Sequence, residues 1–248
     1  MKHKILKSAT IAAGALALSS AGHALLDYSQ DFEGYDAAST TTLGDDGWLV
    51  GANVFDSGGG FVYNYFAFPA PNDGAAFSGV AVGEGGAPQG NQQLNTFSDY
   101  NNGNHFDGSG FQIEANLFRD VGIIGAGDIG TTVTFDLDAK LGNIVAPTTA
   151  AAFIKVIKTS DGSFATLAST FLDVHTIATG WQDLSLSLGL SDGAYAGETL
   201  QIGFISVASG GTASGVFYDN INVSNVPVPA AAWLFGSALV GLFAARRK

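Results

Sequence analysis

Cysteine is absent from this chain of 248 residues, and methionine occurs once. Without cysteine there are no disulfides and no thiol chemistry, so a domain outside the cytosol relies on its hydrophobic core, with or without help from a metal ion. Basic residues are scarce as well, since 10 Lys and Arg face 22 Asp and Glu and the formal net charge is −12. This composition argues against binding nucleic acid or anionic polymers through charge.

The charges divide the sequence into three regions. All 22 acidic residues lie in residues 25–225 with only four of the basic ones, which gives this stretch a formal charge of −18. Its 201 residues suffice for one all-β domain of ordinary size. The other six basic residues lie in the two terminal segments. So acidic a domain is compatible with divalent cations and neutral glycans as ligands.

The N-terminal segment, residues 1–24, has the pattern of a secretory signal peptide. Lys2, Lys4 and Lys7 form a basic region, and a small apolar stretch follows from Ala9 to Ala21. Small residues then stand on both sides of His23, which predicts cleavage by signal peptidase after Ala24. The protein is therefore expected to be exported.

The C-terminal segment, residues 226–248, predicts a transmembrane helix. Twenty residues from Val226 to Ala245 carry no charge, and about 20 residues are needed to cross a bilayer core. The chain then ends in the basic residues Arg246, Arg247 and Lys248, which should remain cytoplasmic. The segment therefore anchors the protein in the inner membrane, at least before any processing.

Two prolines at the start of this segment carry a resemblance. Pro227 and Pro229, the hydrophobic span and the basic tail resemble the PEP-CTERM sorting signal of bacterial envelope proteins. The usual acidic residue between the prolines is Val228 here, as in a Val-Pro-x-Pro-Ala variant. The resemblance implies recognition and processing by an exosortase, in a setting of exopolysaccharide and biofilm. A plain membrane anchor explains the same segment except for the proline spacing.

Alternation of apolar and polar residues with a period of two predicts an all-β fold for residues 25–225. Gly and Asp-Gly breaks separate the strands, and the segment from Pro69 to Gly110 is predicted to form surface loops with a short helix or strand. Nine predicted strands without a sequence repeat favour a two-sheet sandwich. The predicted strands are 48–55, 61–68, 111–117, 132–139, 152–158, 164–172, 184–190, 199–207 and 215–223.

Four short motifs follow one another along the chain. They are Asp31-Phe32-Glu33-Gly34, the stretch 127–140, the stretch 179–184 and the stretch 216–223. In this order they resemble the jelly-roll carbohydrate-binding modules of the family 4 and 9 type. The resemblance implies a jelly-roll β-sandwich that binds glycans and a structural Ca²⁺ held by Glu33 and Asp219.

Asp219 also stands out by its position in the strand pattern. Alternation places it on the apolar face with Phe217, Ile221 and Val223. A carboxylate on that face is costly unless it is paired, hydrogen-bonded or bound to a metal. Solvation at a strand end or hydrogen bonds from backbone amides would explain the residue without a metal.

A glycan site needs exposed rings and polar side chains that bind sugar hydroxyls. The sequence offers Trp48, Tyr100, Asn102 and His105 as candidates, the last three from a loop-like stretch. A tryptophan in a predicted strand also fits a sandwich core, and an Asn-rich loop also fits an ordinary turn.

Catalytic motifs are missing from the sequence, so no catalytic residue is predicted and the protein is expected not to be an enzyme. Three functions remain open: an exported envelope or matrix protein associated with exopolysaccharide, a dedicated carbohydrate-binding lectin, and an extracellular polysaccharide hydrolase. The first is preferred, with glycan binding as its molecular mode.

Overall fold

The computed structural model describes residues 26–67, 77–100, 102–105, 108 and 110–226. The predicted signal peptide and the sorting segment, with Pro227, Pro229, Arg246, Arg247 and Lys248, lie outside these residues. Within the described ranges, none of the helices has the length and apolar character needed to cross a membrane.

The described residues form twelve strands, one short α-helix and two 3₁₀ helices. The helix α1 spans Thr42–Asp45, and the 3₁₀ helices span Gly103–His105 and Gly193–Tyr195. The strands are β1 (Tyr28–Gln30), β2 (Trp48–Phe55), β3 (Phe61–Ala67), β4 (Ser78–Val82), β5 (Gln92–Thr96), β6 (Gln112–Ile123), β7 (Thr132–Ile144), β8 (Thr149–Ile157), β9 (Thr166–Asp173), β10 (Gln182–Gly189), β11 (Thr199–Ser209) and β12 (Ser214–Val226).

The strands form two antiparallel sheets of six strands each. The first sheet has the order β10-β7-β12-β5-β4, with β1 paired to another part of β12. The second sheet has the order β3-β2-β6-β11-β8-β9. The predicted two-sheet β-sandwich is therefore confirmed.

The pairing of the last eight strands is nested, as in a long hairpin that has been rolled up. Strand β5 pairs with β12, β6 with β11, β7 with β10, and β8 with β9. Each pair is divided from the next by a change of sheet, so consecutive hairpin arms wrap around the core. This is the connectivity of a jelly roll, and the remaining strands extend its two sheets.

The core lies between the inner faces and is centred on stacked aromatic rings. Phe204 packs against Trp48 with centroids 6.0 Å apart and against Tyr218 at 3.8 Å. Phe135 contacts the same ring from the first sheet. Trp48 is 0% exposed and donates its indole N–H to the Tyr28 hydroxyl. Its ring offers no face to a sugar, so this predicted ligand residue is a core residue.

The segment predicted to form loops contains two strands of the first sheet. Strand β5 lies inside that sheet, between β4 and β12. It reads Gln-Gln-Leu-Asn-Thr, and the Gln93 side chain is buried. Its amide donates to the Gln89 carbonyl, while its carbonyl oxygen accepts from the backbone of Glu84. Because polar side chains occupy buried positions of this strand, hydrophobic alternation does not reveal it.

Candidate functional site

A cleft of about 720 Å³ crosses the outer face of the second sheet. Its floor depends on two buried glycines in neighbouring parts of the sheet. A Cβ on Gly203 would lie 2.4 Å from the Leu117 carbonyl oxygen and 2.6 Å from Phe153 Cζ. A Cβ on Gly51 would lie 3.0 Å from the Phe66 ring. Side chains at these two positions would displace the rings that line the cleft.

Aromatic rings line the cleft and its rim. Phe66, on the edge strand β3, is 76% exposed, and Phe164, in the turn between β8 and β9, is 70% exposed. Phe118 lies half-buried on β6. Phe164 also has a φ of 54°, which is unusual for a bulky residue and fits a functional position. These rings lie on the outer face of the sheet rather than in the core, and an exposed apolar surface of this kind is a candidate binding surface.

Carboxylates and amides lie between the rings. Glu114 accepts hydrogen bonds from Asn53 Nδ2 at 2.8 Å and from Asn116 Nδ2 at 3.0 Å. Further along β6, Asp120 accepts a hydrogen bond from Gln201 Nε2 at 3.0 Å. These networks fix side chains that still present donors and acceptors to the cleft. Rings beside oriented amides and carboxylates can bind the faces and hydroxyls of a sugar.

One cation lies among these groups. Lys155, on β8, places its ammonium 3.9 Å from the centroid of the Phe153 ring and 5.6 Å from that of Phe171. Burial lowers the pKa of this ammonium, and the negative charge of Glu114 partly opposes that shift. The aromatic rings thus hold a partly desolvated cation at the cleft.

The carboxylates of the cleft do not form a glycosidase pair. Glu114 and Asp120 lie on the same strand and face, six residues apart. That interval corresponds to about 20 Å of strand, whereas paired glycosidase carboxylates lie roughly 5 to 9.5 Å apart.

Asp219 lies at a second location, on the outer side of the first sheet. It is opposite Asp138 in the register of β12 and β7, and the register shifts immediately after it. Asn220 occupies the left-handed region with a φ of 45°. This bulge reverses the alternation of β12, so Tyr218 faces the core together with Ile221. The predicted placement of Asp219 on the core face is wrong, although the residue is buried.

The buried carboxylate of Asp219 is only half satisfied. Its Oδ1 accepts from the Asn220 backbone N–H at 2.6 Å, whereas its buried Oδ2 has no hydrogen-bond partner within the described structure. Burial, helped by the charges of Asp138, Glu33 and Asp31 and opposed by the hydrogen bond from Asn220, raises its pKa to about 7. Asp219 is therefore a carboxylate that lacks a compensating positive charge.

Glu33 belongs to the same acidic neighbourhood, but its Oε1 accepts from the backbone N–H groups of Asn91 and Gln92 at 2.7 and 2.6 Å. In the ranges that the structure describes, no three His, Cys, Asp or Glu side chains are grouped to hold a metal ion. The free, buried oxygen of Asp219 suits a hard cation, which would complete its coordination with backbone carbonyl oxygens. The charge of Glu33 thus acts on Asp219, but the described side chains form no all-carboxylate cage around the two predicted ligands.

The predicted glycan residues of the loop make internal contacts. Tyr100 stacks on Phe97 and donates its hydroxyl to the Thr212 carbonyl oxygen at 3.0 Å. The Asn102 amide donates to the Tyr65 hydroxyl at 3.0 Å. The described lining of the cleft includes Tyr65 but neither Tyr100 nor Asn102. His105 ends the first 3₁₀ helix, and its side chain lies outside what the structure describes.

The strand pairing and the cleft define the class of this protein, a jelly-roll β-sandwich with an aromatic-lined outer face. No family model matches the sequence, and no curated protein matches it. Solved structures resemble it distantly. A cyclase from Fischerella sp. TAU, in complex with 4-(1H-indol-3-yl)butan-2-one, gives a TM-score of 0.47 at 16% identity, over 80% of this chain and 94% of that chain.

Two xylan-related structures also align. The CBM22-1 xylan-binding domain of Paenibacillus barcinonensis Xyn10C gives a TM-score of 0.39 at 16% identity, covering 82% of this chain and 96% of that chain. The CBM22-1–GH10 modules of Clostridium thermocellum endo-1,4-β-D-xylanase 10B, complexed with xylohexaose, give 0.40 at 10% identity, covering 79% and 28%. At such scores the jelly-roll assignment rests on the strand pairing alone.

Proposed function

We propose that this protein is an exported, non-catalytic envelope or matrix protein that binds a polysaccharide in the cleft of its second sheet. The observation that carries the proposal is the combination of exposed rings with oriented amides across one open sheet face. Phe66 and Phe164 provide apolar faces, and Glu114 with its two asparagine partners provides fixed hydrogen-bonding groups. A sugar chain presents both kinds of surface along its length.

The test is a binding screen of the purified full-length protein against immobilised polysaccharides, with a matched pair of variants. Phe66→Ala removes a cleft ring, and Phe61→Ala removes an exposed ring of the same strand that does not line the cleft. Loss of one stacking ring is worth about 1 kcal/mol, so Phe66→Ala should weaken binding roughly fivefold to tenfold while Phe61→Ala leaves it unchanged. Equal effects of the two changes, or no bound polysaccharide, would refute the cleft as the site.

The hydrolase alternative makes a different prediction. The wide spacing of Glu114 and Asp120 supports binding without cleavage. Incubation with each bound polysaccharide should therefore release no new reducing ends. Release that disappears in Glu114→Gln would instead establish a hydrolase.

The sorting proposal follows from the two ends of the sequence. Export through residues 1–24 and processing at residues 226–248 would place the acidic domain outside the cell. Mass spectrometry of the mature protein from a host with a matching exosortase should find the segment after Pro229 missing. An intact C-terminus in that host would identify the segment as a plain anchor.

We also propose one structural Ca²⁺ at Asp219, with Glu33 nearby. The supporting observation is the buried Asp219 Oδ2, which has no hydrogen-bond partner in the described structure. Calcium should raise the melting temperature, EDTA should reverse the rise, and Asp219→Asn should abolish it. An unchanged melting temperature of the wild type in calcium, together with no metal by elemental analysis, would refute the proposal.

A further inference from the structure

Lys155 differs from the other basic residues of the acidic domain. Arg119 approaches Asp46 at 3.7 Å, Lys140 pairs with Glu84 at 2.9 Å and Lys158 pairs with Asp161 at 2.7 Å. Among the described residues, the Lys155 ammonium has two ring contacts and the longer-range charge of Glu114, but neither a hydrogen bond nor an ion pair. Acidic residues outnumber basic ones 22 to four in this domain, so a lysine without an ion-pair partner is unexpected.

The position of Lys155 directs its ammonium to the cleft. Lys155 faces Gln201 across the β8–β11 register, and Gln201 faces Asp120 across the β11–β6 register. The three residues therefore form one polar row across the cleft, next to the row of Phe153, Gly203 and Phe118. The contact with Phe153 directs the lysine side chain toward this aromatic row.

The hydrogen bonds in the cleft indicate which kind of group would pair with Lys155. The carboxylates of Glu114 and Asp120 already accept hydrogen bonds from amides. The Lys155 ammonium has three donors, and a partly buried cation is stabilised by an anionic acceptor. Lys155 is thus the charged group of the described cleft lining that has no hydrogen-bond partner, in spite of the acidic character of the whole domain.

We propose that Lys155 forms a subsite for the carboxylate of an acidic sugar, so that the cleft prefers a neutral glycan chain bearing isolated uronic acid units. This inference rests on the proposed glycan-binding function. The formal charge of −18 on the domain repels a continuous polyanion such as a polyuronate. A single carboxylate that faces Lys155 gains the ion pair and hydrogen bonds without that repulsion along the whole chain.

The experiment uses matched sets of immobilised hexasaccharides and the full-length protein. Each set contains a β-1,4-linked neutral chain of glucose, xylose or mannose, the same chain with one uronic acid unit, and the methyl ester of that acid. Charge-assisted hydrogen bonds are worth roughly 10- to 100-fold in affinity. The acid should bind tighter than both the neutral chain and the ester by about that factor.

Variants assign the preference to one residue. Lys155→Met should bring the ratio of acid affinity to ester affinity close to one, whatever its effect on the neutral chain, and Lys155→Arg should retain the preference for the acid. Lys158→Met is the matched control, because it removes the same charge from a lysine that pairs with Asp161 and does not line the cleft. This control should keep the preference of the wild type.

The outcomes distinguish a failure of the Lys155 assignment from a failure of the proposed glycan-binding function. If the wild type binds acid, ester and neutral chain equally, the Lys155 assignment is overturned and the cleft remains a glycan site. If no member of any set binds, both fail. Should Lys155→Met not fold, the comparison of acid with ester on the wild type decides alone.

Discussion

The outer faces of the two sheets use acidic residues in opposite ways. On the second sheet, Glu114 and Asp120 are open to the cleft and each accepts hydrogen bonds from neighbouring amides. On the first sheet, Asp219 is buried, and one of its oxygens has no hydrogen-bond partner within the described ranges. The first arrangement yields a surface of oriented polar groups suited to sugar hydroxyls, and the second a buried, unpaired carboxylate oxygen suited to a cation. Local hydrogen bonding, rather than residue type, separates the two sites.

The largest effect should come from the titration of Asp219 in protein freed of metal by EDTA. Its pKa is raised to about 7 in the folded state by burial and by neighbouring carboxylates. Between pH values of about 4 and 7 the folded state alone keeps this proton, so the free energy of unfolding falls as the pH rises through that window and then levels off. Across this window the free energy of unfolding should fall by up to about 4 kcal/mol.

Denaturant unfolding from pH 4 to 8 checks this expectation as a difference between the wild type and Asp219→Asn. The variant should be the more stable at pH 8 in EDTA. Asp183→Asn serves as the control, because Asp183 is exposed on β10, which lies beyond β7 in the same sheet. Identical pH profiles for the wild type and Asp219→Asn would show that the carboxylate is not destabilised by its surroundings.

The second effect concerns the floor of the cleft. Gly203→Ala places a methyl group against the Leu117 carbonyl oxygen and the Phe153 ring, and such overpacking costs about 1 to 3 kcal/mol. The melting temperature should fall and glycan binding should weaken. Gly189→Ala is the control, because no atom lies within 4 Å of a Cβ at that strand position. A Gly203→Ala protein as stable as this control would mean that the cleft floor can shift.

Much of the framework was predictable from the sequence. All nine predicted strands correspond to strands of the structure, and β2 matches from Trp48 to Phe55. Alternation succeeded there because one face of each strand packs on the core. It failed for β5, which places polar residues at buried positions, and for β12, where the bulge at Asn220 reverses the faces.

The cleft could be predicted only in part. On β6, Glu114, Asn116 and Phe118 alternate with apolar residues, and a phenylalanine on the polar face is a signal for a binding surface. The strands that flank β6 cannot be predicted from the local sequence, because β2 and β11 pair with it from distant parts of the chain. The sequence therefore contains the cleft residues but not their juxtaposition, and its loop-like stretch points instead to Tyr100 and Asn102.

The smallest effect should come from Glu114→Gln. A glutamine keeps the size of the side chain but loses the charge that draws hydrogen bonds from both Asn53 and Asn116. Weakening these bonds loosens the two amides, and we expect glycan affinity to fall about threefold to tenfold, as for a hydrogen bond worth about 1 kcal/mol.

Calorimetric titration with a polysaccharide bound by the wild type measures the Glu114→Gln change. Glu84→Gln is the matched control, since Glu84 pairs with Lys140 of the first sheet and does not line the cleft. If both changes weaken binding equally, the effect follows the net charge of the domain. If only Glu114→Gln does so, the effect follows the orientation of the cleft amides, and the contrast between the two faces extends from structure to ligand binding.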